Sequence, residues 1–199
     1  MRRVILMAVL ALALPLAAFA TSQVDYRDSG GTLVGTSSGM SLTGAMIEGY
    51  GPAGSPPTKQ GNLGTLSFTT GTLLSGSLDG KTGIATFANA GSSFTITGTG
   101  VPSFTGTFDG PVTWSMITLH NGTHNYTLTG TVSGTLGNFA TAGSTVQLTI
   151  NTGHGFFNGS TLISSGDTNV LVPEPGTLGL LGTGLVGIAG LVRRKLKMS

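Results

Sequence analysis

The feature that most limits what this chain can become is a short, recurring alternation of apolar and hydroxyl side chains from Leu63 onward. Leu66-Ser67-Phe68, Phe94-Thr95-Ile96-Thr97, Val112-Thr113-Trp114-Ser115-Met116, Tyr126-Thr127-Leu128-Thr129 and Val146-Gln147-Leu148-Thr149-Ile150 each put apolar groups on one side and polar groups on the other. A period of two is that of a half-buried strand. The runs are separated by turn formers: Asp79-Gly80, Gly91, Gly98 to Gly100, Asp109-Gly110-Pro111, Asn121-Gly122, Gly134, Gly143 and Asn158-Gly159. These residues tolerate positive φ or initiate tight turns, so they predict hairpin connections. Roughly eight to ten strands result, and the expected body is all-β: a single antiparallel β-sandwich or open barrel. Its expected core is Phe68, Phe94, Phe104, Phe108, Trp114, Tyr126, Phe139 and Ile150.

Residues 29–62 break this pattern with Gly30-Gly31, Ser37-Ser38-Gly39 and a Pro/Gly-rich run through Pro56-Pro57. Part of this segment can supply edge strands, and residues 49–62 read as a loop. The body, residues 21–171, also holds 29 Thr and 18 Ser. Threonine is β-branched and suits strands, and on an outward face it keeps a weakly charged sheet wet.

Charge is distributed unevenly. The whole chain has nine Lys+Arg against seven Asp+Glu. Yet Arg2, Arg3, Arg193, Arg194, Lys195 and Lys197 all lie at the two extremes. The body keeps Arg27, Lys59 and Lys81 against Asp25, Asp28, Glu48, Asp79, Asp109 and Asp167, a net charge of −3. A mildly acidic body with no basic run lacks the electrostatic footprint for phosphate backbones, so no nucleic-acid partner is expected. The chain has no cysteine. That excludes a disulfide framework, a thiol nucleophile and Cys-ligated zinc.

The extremes explain the basic excess. Arg2-Arg3, an apolar stretch over residues 4–16 and the small-residue site Ala18-Phe19-Ala20 follow the order of a secretory signal peptide, residues 1–20, cut after Ala20 by signal peptidase. An uncleaved N-terminal anchor is the alternative. At the other end, residues 175–192 carry no charge and are followed by Arg193-Arg194-Lys195. As a helix, eighteen residues rise about 27 Å, close to the roughly 30 Å of a hydrocarbon core. A C-terminal transmembrane helix over about residues 177–192 is therefore expected, with residues 193–197 as its cytoplasmic basic stop. Its glycines suit close approach between membrane helices.

Within residues 172–197, Val172-Pro173-Glu174-Pro175, a Gly/Leu-rich span and Arg193-Arg194-Lys195 occur in that order. This tail resembles the PEP-CTERM sorting domain of exosortase substrates. The resemblance implies that Pro173, Glu174 and Pro175 are the recognition element for a membrane-embedded cysteine transpeptidase, which removes the span. It further implies an exported protein, first held at the inner membrane and then found at the envelope, surface or extracellular matrix of a Gram-negative bacterium that makes extracellular polysaccharide. The residues themselves fit such a role: the two prolines lack N–H donors and fix φ, which keeps the strip extended and outside any sheet or helix. A permanent single-span anchor is the alternative reading of the same tail.

Chemistry-bearing residues are sparse in the body. His120 and His124 straddle Asn121-Gly122, so their spacing does not align them as it would on a helix, and no third metal ligand is near in sequence. His154 lies between two glycines. No nucleophile elbow accompanies the many hydroxyls. Glycoside hydrolysis would need two carboxylates flanking a cleft, and Asp79 and Asp109 belong to Asp-Gly turns. Asn121, Asn125 and Asn158 begin glycosylation sequons but read first as turn residues. No phosphate-binding glycine loop is completed by a lysine. The expectation is a non-enzymatic surface or matrix protein without catalytic, cofactor or metal residues. Its partners are signal peptidase, an exosortase-type transpeptidase, the membrane before processing and extracellular polysaccharide. A carbohydrate-binding module using Trp114, Tyr126 and Tyr50 is the alternative, and an envelope hydrolase the third.

Overall fold

The computed structural model describes residues 22–79 and 84–172. All regular structure there is β: β1 (Ser22–Thr36), β2 (Gly39–Pro52), β3 (Lys59–Gln60), β4 (Gly64–Thr69), β5 (Leu73–Ser75), β6 (Ile84–Phe87), β7 (Ser93–Gly98), β8 (Phe104–Phe108), β9 (Val112–Thr118), β10 (His124–Leu136), β11 (Phe139–Asn151) and β12 (Ser160–Val172). The signal peptide, the Pro-Glu-Pro strip, the expected span and the basic stop lie outside the described residues. Among the described residues no helix is long and apolar enough to cross a membrane.

The sheet is neither a sandwich nor an open barrel. Eight strands close on themselves in the order β1-β2-β4-β7-β8-β10-β11-β12 and back to β1. The seven pairings from β1 round to β12 are antiparallel, so alternating direction also sets β12 antiparallel to β1. The length of β10 explains how closure coexists with extra strands. Along one edge its first half, His124 to Thr129, pairs with β9, and its second half, Val132 to Leu136, pairs with β8. β9 then leads away to β6 and β5 as a side flap.

Closure also needs sharp local coiling, which glycine supplies where strands approach most closely. Gly106 on β8 faces Gly134 on β10. A Cβ on Gly134 would lie 2.1 Å from the Thr105 carbonyl oxygen, and one on Gly106 would lie 2.2 Å from that of Ser133. Gly134 is thus a bend within β10 rather than the turn its type suggests. Gly143 likewise lies inside β11, while the actual β10–β11 turn is Gly137-Asn138.

The first two strands are the longest, although the sequence shows no clean alternation there. On β1 the buried residues Tyr26 and Leu33 are seven apart, a spacing that would put them on opposite faces of a regular strand. The register shift between Arg27 and Asp28 places its extra residue, Glu48, on β2, and on β1 Tyr26 and Asp28 keep step. The positive-φ pair Gly30-Gly31 is where β1 changes phase and turns Leu33 to the inside. On β2 the buried set passes from Met40 and Leu42 to Ala45 and Ile47 across a shift that contains Gly44. The stretch read as a loop contributes residues 49–52 to β2 and Lys59–Gln60 to β3, so only residues 53–58 connect them.

The interior is filled by aromatic side chains. Phe94 meets Phe68 at 6.2 Å, Phe104 at 5.8 Å and Phe108 at 5.9 Å between ring centroids. Trp114 stacks on Tyr126 at 4.9 Å and meets Phe157 edge-on at 5.3 Å. Their polar atoms tie down loops: Trp114 Nε1 donates to the Leu78 carbonyl, while Tyr126 OH donates to the Asp79 carbonyl and accepts from the Phe157 amide. Buried indole and phenol groups need such partners. Tyr26 OH donates to the Pro102 carbonyl in the same way. Of the expected core only Phe139 is misplaced. It follows the Gly137-Asn138 turn at the end of the barrel and is 50% exposed.

Outward positions carry hydroxyls in register, as in Thr65 opposite Thr97, Thr95 opposite Thr105 and Thr131 opposite Thr145. An apolar inside and a polar outside is the reverse of a lipid-facing barrel. Gly134→Val is expected to cost about 3 kcal/mol through backbone collision. Thr107→Val, on the outer face, should stay within about 0.5 kcal/mol of the parent. Urea unfolding followed by the fluorescence of Trp114 measures both.

Candidate functional site

The seam that closes the barrel joins the first and last strands of the body. β12 runs to Val172, and the next residue is Pro173. A proline cannot extend the ladder because it lacks the N–H. No spacer therefore separates the last wall strand from the sorting strip. Because β1 and β12 run antiparallel side by side, Ser22 and Val172 belong to the same end of the seam. At its other end Gly35 N donates to the Gly159 carbonyl at 2.9 Å. The predicted signal-peptidase position, Ala18 to Ala20, and the Pro173-Glu174-Pro175 strip lie outside the described residues, in sequence just before β1 and just after β12.

The seam encloses an acid that sequence reading did not single out. Asp28 is only 3% exposed, and its partner on β2 is the buried Ile47. Across the seam it lies over Gly166, where an added Cβ would come within 2.6 Å of both carboxylate oxygens. Gly166 makes the room that Asp28 occupies. Neither oxygen has a hydrogen-bond partner among the described residues, and the same holds for the buried Thr168 hydroxyl. Burial, reinforced by Asp167, Asp25 and Glu48, pushes the Asp28 carboxyl up to about 7. Asp25 is ion-paired with Arg27 at 3.0 Å. Asp167 is raised as well, first by burial and then by Asp25.

The remaining carboxylates are tied to neighbours: Glu48 accepts from Ser29, Asp109 from Ser133 and Asp79 from Ser77. Asp28 is sealed in the wall rather than set in a cleft.

The histidines divide between different tasks. His124 is buried, shares a hydrogen bond with Thr118 at 3.0 Å and stacks on Phe156 at 4.5 Å. His120 is exposed in the turn, and His154 meets the Gly122 carbonyl at 3.2 Å. Among the described residues no group of three or more His, Asp or Glu is arranged to hold a metal ion. Asn121 takes two bonds from Thr123, and Asn125 accepts from Asn151, so both serve their turn and strand. Trp114 and Tyr126, expected as exposed sugar-stacking rings in the alternative reading, are fully buried, while Tyr50 is half-buried against Tyr26.

The raised Asp28 carboxyl has a definite consequence for stability. Between pH 4 and 7 the folded chain holds a proton that the unfolded chain has released, so stability falls as pH rises through that window and levels off above it. The slope from this one group approaches about 1.4 kcal/mol per pH unit at most. Urea midpoints measured across this range should show the decline, and Asp28→Asn should flatten it.

Comparison with known proteins bears on the tail. No curated protein and no solved structure matches the chain. Residues 171–195 match the family model of the PEP-CTERM protein-sorting motif, the stretch that begins in the last two residues of β12 and ends with the first three basic residues.

Proposed function

We propose that this chain is an exported, non-enzymatic protein of the cell surface or extracellular matrix, delivered as a closed β-barrel by a C-terminal sorting tail. The observation that carries the reading is the sorting-motif match at residues 171–195, which suggests an exosortase-sorted protein. In this reading the signal peptide, residues 1–20, starts export and signal peptidase removes it. The apolar stretch after Pro175 then holds the precursor in the inner membrane, with Arg193, Arg194 and Lys195 on the cytoplasmic side. An exosortase-type transpeptidase recognises Pro173, Glu174 and Pro175 and detaches the barrel. The direct passage from β12 into Pro173 supports recognition of an extended strip at the barrel rim.

The non-enzymatic part rests on the carboxylates. Inverting and retaining glycosidases alike use two carboxyl groups across an open cleft. Here Asp28 is sealed in the wall, Asp25 is paired with Arg27, three others are bonded to serines, and Asp167 is the one carboxylate lining the open groove on the outer face. Stacking of sugars on Trp114 or Tyr126 has no support, because both rings are inside.

Mass spectrometry of the protein from cell, membrane and matrix fractions tests the reading. The mature chain is expected to start at Thr21 and to lack residues 177–199. An intact mass that still includes them would overturn processing. A Pro173→Ala/Glu174→Ala variant should accumulate as uncut precursor in the membrane fraction.

A further inference from the structure

The outer face of β9, β10, β11 and β12 is hollowed into a groove of about 580 Å3. Cross-strand register arranges its polar side chains in two rows. Thr113, Thr129, Gln147 and Asp167 form one row, and Thr131, Thr145 and Asn169 the other. Neighbouring strands are about 4.8 Å apart and alternate residues on a strand about 6.8 Å apart. The groove therefore presents a regular grid of hydrogen-bonding groups across four strands.

Some outward polar side chains of the barrel are tied to neighbours: Thr69 to Ser93 at 2.8 Å, Ser133 to Asp109 at 2.7 Å and Asn151 to Asn125 at 2.6 Å. Thr65, Thr95 and Thr97 on β4 and β7 are not tied to any described residue, and what sets the grid apart from these is its place in the hollow. In the groove the side chains of Thr113, Thr129, Thr131, Thr145, Gln147 and Asn169 make no hydrogen bond to any described residue. Their donors and acceptors all face the open side. Gln147, Asn169 and the threonines can each both donate and accept.

The chemistry of the lining narrows the partner. No lysine or arginine lines the groove, and its single charged group is a carboxylate, Asp167. Polyanions, nucleic acid included, are therefore disfavoured. Every strand in the groove is paired on both sides there, β9 with β6 and β10, β12 with β11 and β1, so no free edge awaits an added peptide strand. No aromatic ring lines it, and of its two apolar side chains Val146 is buried and Pro111 alone is exposed, too little surface to hold an apolar ligand. What fits is an extended, uncharged molecule with hydroxyls at regular intervals.

We propose that this groove binds an uncharged polysaccharide chain, laid across the four strands so that its hydroxyls exchange hydrogen bonds with the two rows. The proposal rests on the reading of the chain as an exported non-enzymatic protein, and it names that protein's ligand class. Each neutral hydrogen bond merely replaces one with water and contributes little, so binding depends on many contacts along a polymer and single sugars are held poorly.

The test is affinity electrophoresis of the protein as cells export it, through gels containing dextran, mannan or galactomannan as neutral polymers and alginate as the anionic one. Retardation is expected in at least one neutral gel and none in alginate. Thr129→Ala/Gln147→Ala/Asn169→Ala should weaken it about tenfold, as loss of a few such bonds implies. Thr145→Arg, an exposed substitution that fills the groove, should abolish it, whereas Thr65→Ala/Thr97→Ala on β4 and β7 should leave it unchanged. Thermal melting confirms that each variant is folded. Absence of retardation in every neutral gel, equal retardation of the groove variants and the parent, or stronger retardation in alginate would overturn the site. The intact mass of the same preparation separates the two readings: an uncut mass counts against processing, and a correctly cut chain that is not retarded counts against the groove.

Discussion

With no cysteine to staple it, the barrel is closed by hydrogen bonding between its first long strand and its last. The aromatic interior depends on that seam, because burial of Tyr26, Trp114 and the phenylalanines is complete only when the wall is continuous. The seam is also where the structure is least comfortable. Asp28 and Thr168 sit in it with buried, unpartnered oxygens, and such groups cost free energy wherever water cannot reach them. The wall therefore holds its weakest chemistry at the pairing it most needs.

The two surfaces of the wall do separate work. Inside, rings interlock and their polar atoms pin the loops at residues 78–79 and 157 to the barrel. Outside, threonine rows face water, and the stretch of them across β9 to β12 is concave. β10 couples the two halves. By pairing with β8 and β9 along one edge it carries both the closed ring and the flap, and the change of partner falls between Thr129 and Val132.

Much of this was legible in the sequence where period two runs unbroken. Phe68, Phe94, Trp114, Tyr126 and Ile150 alternate with hydroxyls, and all are buried. The legibility ended where the backbone changes phase. Tyr26 and Leu33 fall out of step at the positive-φ pair Gly30-Gly31, and Leu42 and Ala45 because a bulge adds a residue between them. Closure was not legible either, since nothing local marks that residues near 28 and 166 meet. Gly166 could be read in the chain as one more turn former, whereas it is the space beside a buried acid. Phe139 misled for a different reason: it follows directly on the Gly137-Asn138 turn, where the barrel ends and leaves the ring exposed. The sorting motif was readable because it is linear and depends on no tertiary contact.

The seam also sets an order of events in time. Its two strands stand at opposite ends of the body, so the pairing that closes the wall is among the most distant in sequence, and such pairings form late. Until β12 has left the export channel, β1 and β11 each present an open edge, the kind of surface on which chains join to one another. If, as proposed, the tail holds the emerging chain at the membrane, each molecule completes its own wall while its neighbours are kept apart. Release before closure would instead deliver a population of open edges into a crowded space. Under that proposal a tether next to the final strand would act as a chaperone in time, giving the closing pairing its interval of isolation.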